Sequence, residues 1–179
     1  MSEKAYSILV DLDTLSKANA ADLPANQELQ SIWSGIGFRM GQKRYVAPID
    51  EVSEIIEVPG FTIVPGVKSW VKGIANVRGR LLPIMDLTHF LQTEGKDRES
   101  NRRIIVIDKE DMYSGLLVDE VLGMQHFEED SFSSKNDSCG ELVDPFVGGM
   151  YQRDEQNWHV FKLFELADDP QFLQASVTT

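Results

Sequence analysis

From Ser31 onward, every apolar segment is soon interrupted by a glycine, a proline or a charged turn. Long helices need ten or more residues without such breakers, so the punctuation favours short strands. Ile36, Phe38 and Met40 alternate with Gly37 and Arg39, then Gly41-Gln42-Lys43 turns the chain into Tyr45, Val46 and Ala47. Two apolar runs around a glycine turn predict a hairpin. Val52–Val58 is β-branched with Glu54 at its centre, and Pro59-Gly60 and Pro65-Gly66 mark turns. Gly73, Gly79 and Pro83 break the stretch from Val67 to Met85 into strands, bulges and tight turns. Asp86–Leu91 reads as one short helix with Asp86 as its N-cap. Glu94–Arg102 is a polar loop, Arg103–Asp108 and Ser114–Val121 are strands around a turn at Lys109–Met112, and Gly123–Phe127 continues as β. Glu128–Asp144 is an acidic surface loop. Val147–Met150 and Trp158–Phe164 form a last hairpin around Arg153–Asn157, and Phe164–Ala175 closes the chain with a helix, its start favoured at Asp168-Asp169-Pro170. Many short strands at close spacing predict a mostly β, barrel-class fold.

Residues 1–31 have a different texture. Ile8, Leu9, Leu12 and Leu15 recur at helical spacing, and Asn19–Asn26 is small and polar around Pro24. This predicts an amphipathic arm and a linker ahead of a domain over 32–175; a frayed tail is the alternative. The 179 residues carry 17 basic and 29 acidic side chains, a net charge of −12, which disfavours a general nucleic-acid binder. No run reaches the roughly 20 apolar residues of a membrane span. The N-terminus lacks a signal-peptide cleavage site, and the single cysteine, Cys139, excludes an internal disulfide. These features fit a reducing, cytoplasmic setting without membrane insertion.

Charge is unevenly placed. Phe61–Met85 holds four bases, Lys68, Lys72, Arg78 and Arg80, and no acid, whereas Glu128–Thr179 holds eleven acids and three bases. The basic strip either steers an acidic partner or is a solvated loop.

Catalytic groupings are missing from the sequence. His89, His126 and His159 stand apart, no HExxH or Cys/His cluster suggests zinc, and no serine lies in GxSxG. Gly73–Gly79 lacks the glycine spacing of a phosphate loop. Asp108, Glu110 and Asp111 cluster beside Lys109 in a turn, where a solvated charge run is the simpler reading. No metal, cofactor or catalytic residue is therefore expected, and a binding or scaffold protein is favoured.

The segment GIANVRGRLLPIMDL, Gly73–Leu87, is specific. It describes a strand, a tight Asn-Val-Arg-Gly turn in which Gly79 can take positive φ, and a second strand ending at Asp86. Pro83 denies one ladder bond, which predicts a strand edge or bulge. The string resembles the signature of CheW-like chemotaxis coupling proteins, with glycine, asparagine, arginine-glycine, proline and aspartate-leucine at matching places. IGFRMGQKRYVAPIDEVSEII, RRIIVID, YSGLLVDEVLGM and FVGGMYQRDEQNWHVFKLFEL are similar to flanking family segments in the same order, so the resemblance covers about residues 32–170. More narrowly, the N-terminal extension, WSGIGFRM, VPGVKSWVKGIANVRGRLLPIMDL and VDEVLGMQHF look like the coupling proteins of type IV pilus (twitching motility) chemosensory systems.

That resemblance implies two intertwined small SH3-like β barrels with a hydrophobic seam and a few short helices. It implies a non-catalytic adaptor that links the cytoplasmic tip of methyl-accepting receptors, here of the PilJ type, to the CheW-like regulatory domain of a histidine kinase, here of the ChpA type. Recruitment to receptor arrays, at the cell pole, and weak self-association follow from the same likeness. By position, Val52, Glu54 and Ile55 match the strand near the family's receptor groove, and Gly73, Asn76, Arg78 and Gly79 match its signature turn. A Glu54–Arg78 ion pair would fix that groove; alternatively Arg78 only fixes the turn. Leu116, Leu117 and Val118 are candidates for the kinase-facing side, or core. Other readings are a coupling protein of a flagellar array, a small β-barrel enzyme or ligand-binding module, and an oligonucleotide-binding barrel.

Overall fold

Eleven strands and three short helices are built from these segments in a computed structural model that describes residues 31–93, 101–110, 112–135 and 137–175. The predicted arm over Ile8–Leu15, its linker and most of the 94–102 loop lie outside the described residues.

The first hairpin pairs β1 (Ile32–Met40) with β2 (Lys43–Pro48), Phe38 opposite Tyr45. The chain then makes β3 (Glu54–Glu57), β4 (Val71–Val77), β5 (Arg80–Asp86), helix α1 (Leu87–Phe90), β6 (Arg103–Lys109) and β7 (Met112–Val118). It returns through β8 (Glu120–Glu128), β9 (Phe132–Ser133), β10 (Val147–Arg153) and β11 (Gln156–Phe161), and ends in α2 (Leu163–Ala167) and α3 (Pro170–Leu173). One sheet has the order β8-β1-β2-β11-β10-β9, the other β3-β6-β7-β5-β4. Early and late strands meet in the first sheet, where β2 and β11 run parallel, and the second sheet is inserted between them in sequence.

Each sheet curls over its own apolar cluster. Ala75, Leu82, Ile84, Ile104, Val106 and Leu117 fill the second sheet. Val46, Phe127, Tyr151, Trp158 and Val160 fill the first, where the Arg153 guanidinium reaches from β10 to Gln125 Oε1 (2.6 Å) and His126 O (3.2 Å) on the far strand β8. The largest cluster lies between the sheets and draws on Phe38 and Tyr45 from one, Ile105 and Leu116 from the other, and Leu163, Leu166 and Phe172 from the last helices. Alternation explains the sharing: along β6, Ile104 and Val106 face one cluster while Ile105 and Ile107 face the other. The mostly β, two-lobed expectation holds, and no helix among the described residues is long and apolar enough to cross a membrane.

Four local expectations change. Ser114–Val121 is two strands, because at Asp119 the backbone N–H donates to Arg39 O (3.2 Å) and the carboxylate accepts from Gly41 N–H (2.8 Å), turning the chain from one sheet into the other. Pro83 sits in an interior strand. Ile74, its partner on β4, exchanges both backbone bonds with Thr62, so the Ile74–Pro83 pair is a non-hydrogen-bonded one. The side of Pro83 lacking a donor therefore faces β7, whose pairing begins one residue later at Ile84. The C-terminal segment is two helices, the second capped by Asp169, whose Oδ1 accepts from the N–H groups of Gln171 and Phe172 (both 2.9 Å). The acidic 128–144 segment contributes more than surface. Asp137 Oδ2 accepts from Asn157 Nδ2 (2.7 Å), Ser138 O accepts from Lys43 Nζ, and Val143 is buried in the central cluster.

Candidate partner-binding site

The signature turn is built by its own residues. Arg78 and Gly79 both have positive φ, 51° and 85°, as the two central positions of a tight hairpin turn require. Asn76 Oδ1 accepts the Gly79 N–H at 2.9 Å and locks the turn. Gly73, four residues earlier than Val77, has φ 150°, and a Cβ there would lie 2.2 Å from Thr62 O. Glycine thus lets Thr62 pair with Ile74 at the outer edge of β4.

Two arginines leave this turn in different directions. Arg78 Nη1 lies 3.0 Å from Glu54 Oε2. β3 and β4 are opposite edges of their sheet, so this pair joins the hairpin beyond one edge to the strand at the other. Arg80 Nη1 lies 2.8 Å from Asp108 Oδ2, and its guanidinium stacks 3.7 Å from the Tyr113 ring. The Arg78 side chain is 80% exposed, so its pair with Glu54 contributes roughly 0–1 kcal/mol to stability. The pair reaches from the signature turn across to β3.

The same lobe exposes apolar side chains. Ile63 is 76% and Leu81 68% exposed, and Ile55, Val58 and Phe61 are exposed as well. Ile55 points away from the lobe interior, whereas Val52 packs against the central cluster and Glu54 stands at the rim on the same side as Ile56. The four bases of the strip are not a free steering field. Lys72 Nζ pairs with Asp86 Oδ2 at 3.2 Å, both arginines are paired as above, and Lys68 lies 4.9 Å over the Trp70 ring.

Glu54, Ile55, Asn76, Arg78 and Gly79 therefore come together, with Gly73 supporting them from the opposite end of β4. Leu116, Leu117 and Val118 do not join a surface. They lie on the central strand β7 with Leu116 and Val118 fully buried and Leu117 nearly so, and their side chains offer nothing to a partner. Asp108, expected in a solvated charge run, instead lies in β6 and braces Arg80, and the sequence carries no local signal for Tyr113 as its second brace or for the exposure of Leu81 and Ile63.

The histidines remain apart in space. His89 is in α1, His126 Nδ1 is 2.7 Å from Ser34 Oγ, and His159 is buried with its pKa pushed down by burial and then by Lys43. Burial raises the Cys139 thiol, which opposes a nucleophilic role. No group of three or more His, Cys, Asp or Glu residues that could hold a metal occurs among the described residues.

With this geometry in view, residues 34–171 match the sequence profile of the CheW-like domain. The chain belongs to the CheW-like domain family, the class that chemotaxis proteins of this fold define. Among individual relatives it is 49% identical over 172 residues to Protein PilI of Pseudomonas aeruginosa, with 96% of each chain covered. It is 30% identical over 101 residues to the Chemotaxis protein CheW of Thermotoga maritima, covering 56% of this chain and 66% of that one. In three dimensions it superposes on the scaffolding protein TtCheW of Thermoanaerobacter tengcongensis with a TM-score of 0.67 at 23% identity, covering 78% of this chain and 95% of that one.

Proposed function

We propose that the chain is a non-catalytic adaptor, residues 32–175 forming the coupling domain, that joins methyl-accepting chemoreceptors to a histidine kinase in the chemosensory pathway of type IV pilus twitching motility. The observation that carries the reading is the near-complete, 49% match to Protein PilI, set beside a partial match at 30% to a chemotaxis CheW. It favours the pilus system over a flagellar array. The partners are a PilJ-like receptor tip and the CheW-like regulatory domain of a ChpA-like kinase, and the site of action is cytoplasmic, at receptor arrays. The rim formed by Glu54, Arg78 and the exposed Ile55, Val58 and Leu81 is the receptor-facing surface: apolar side chains bind, and the charged pair fixes register and partner choice.

A charge swap tests this. Glu54→Arg and Arg78→Glu alone are each expected to weaken binding of a receptor signalling fragment about tenfold, because each leaves two like charges at the rim. The double swap is expected to restore most of it. Normal binding in both single variants would remove the pair from the interface.

A further inference from the structure

A buried polar network lies where the two sheets exchange the chain, and the rim site makes no use of it. Asp86, at the end of β5, and Asp119, at the crossover from β7 to β8, are both buried. Arg102 stands between them. Its Nη2 donates to Asp86 Oδ1 (2.8 Å) and Thr88 Oγ1 (2.9 Å) in the lobe that carries the signature turn. Its Nε lies 3.9 Å from Asp119 Oδ1. Asp119 Oδ2 accepts the Gly41 N–H at 2.8 Å and so holds the β1–β2 turn of the other lobe. Glu120, the next residue, takes Arg39 Nε and Nη2 at 3.1 and 3.0 Å. One guanidinium thus spans from the end of the signature motif to the opposite lobe.

The two joints of this strut differ. The Asp86 side is made of short, well-formed hydrogen bonds. On the Asp119 side, Arg102 Nε is buried and has no hydrogen-bond partner. A closure of about 1 Å would turn the 3.9 Å ion pair into a hydrogen bond of ordinary length. Gly41, the partner of Asp119, also lines a cleft of about 440 Å³ that Met40 and Tyr45 border from one side and Leu91 and Gln92 from the other. A half-buried guanidinium with one buried, unpaired N–H is a place where two arrangements of nearly equal energy can exist.

We propose that Arg102 is a positioning residue that sets the orientation of the two lobes through Asp86 and Asp119, and that it thereby couples binding on one lobe to binding on the other. The coupling half rests on the adaptor reading; the orientation half does not. Lysine cannot replace it, since a single ammonium lacks the fork that addresses two carboxylates at once.

The test uses the full chain and two variants chosen to keep the fold. Arg102→Lys retains the charge, and Asp119→Asn retains an acceptor for the Gly41 N–H. Residual dipolar couplings are measured on the amides of both sheets. In the wild type one alignment tensor is expected to fit both; in each variant the two sheets are expected to need different tensors. A single shared tensor in both variants would overturn the orientation role. Affinity for the kinase regulatory domain is then measured with and without the receptor fragment. The wild type is expected to show at least a threefold change, and the variants none, with their separate affinities within about twofold of wild type. A wild-type factor of one, or the same factor in wild type and variants, would overturn the coupling. Absence of both separate affinities in the wild type would instead remove the adaptor reading and leave the orientation result standing.

Discussion

Asp86→Ala is expected to cost about 3–5 kcal/mol of stability, the range for removing one partner of a buried ion pair. The carboxylate is buried and accepts from Thr88 Oγ1 (2.6 Å), Arg102 Nη2 (2.8 Å) and the His89 N–H (3.2 Å), with Lys72 Nζ 3.2 Å from its second oxygen. Its loss takes the ion-pair partner of Lys72, removes the shortest carboxylate contact of Arg102 and uncaps α1 together. Against a total stability of about 5–15 kcal/mol for a domain, that is a large fraction. Urea unfolding measures it, and a loss under 1 kcal/mol would show that the cations find other partners. The same group shapes the acid limb. Burial alone would raise its pKa, but the hydrogen bonds and charge of Arg102 and the Thr88 hydroxyl outweigh it and hold the carboxyl below its ordinary value. A depressed folded pKa contributes stability that is fully present above the unfolded value, about 3.9, and is lost as pH falls through the folded value. Wild-type stability should therefore drop more steeply below about pH 4 than that of Asp86→Asn, and equal slopes would contradict the assignment.

Gly73→Ala is expected to cost about 3 kcal/mol, the sum of a disfavoured backbone and a forced displacement. Gly79→Ala is the control. Both positions have positive φ, but nothing lies within 4 Å of a Cβ at Gly79, whereas one at Gly73 meets Thr62 O at 2.2 Å. Only the backbone cost, about 1 kcal/mol, applies at Gly79. Thermal or urea unfolding of the two variants separates these effects, and equal losses would mean that the Thr62 segment yields without penalty. Gly73→Ala should also speed hydrogen exchange at the Thr62 and Ile74 amides, which bond to each other's carbonyls at 2.9 Å.

Much of this is legible in the sequence alone. Strand positions follow from alternation and from glycine and proline, and the Asp86 cap follows from a short polar residue ahead of Leu87. The Glu54–Arg78 pair could be anticipated because both positions match one family pattern. Other features depend on which strand lies beside which. Leu81 and Leu82 are adjacent identical side chains, one largely exposed and one fully buried, and only the pairing of β5 tells them apart. Leu116–Val118 reads as an apolar strand whether it is central or at an edge; its place between β6 and β5 makes it core. Pro83 suggests an edge until Thr62 is seen to take the outward bonds of Ile74. Arg102 and Asp119 are seventeen residues apart in sequence, with nothing local to link them.

Coupling is tested most directly by the wild-type protein and Arg78→Glu, each mixed with the kinase regulatory domain and a receptor signalling fragment, separately and together. The expected result is that wild type binds each and forms the three-component complex, while Arg78→Glu keeps the kinase and binds the receptor about tenfold more weakly. Folded wild-type protein that binds neither would contradict the adaptor function and leave only the fold shared with the family.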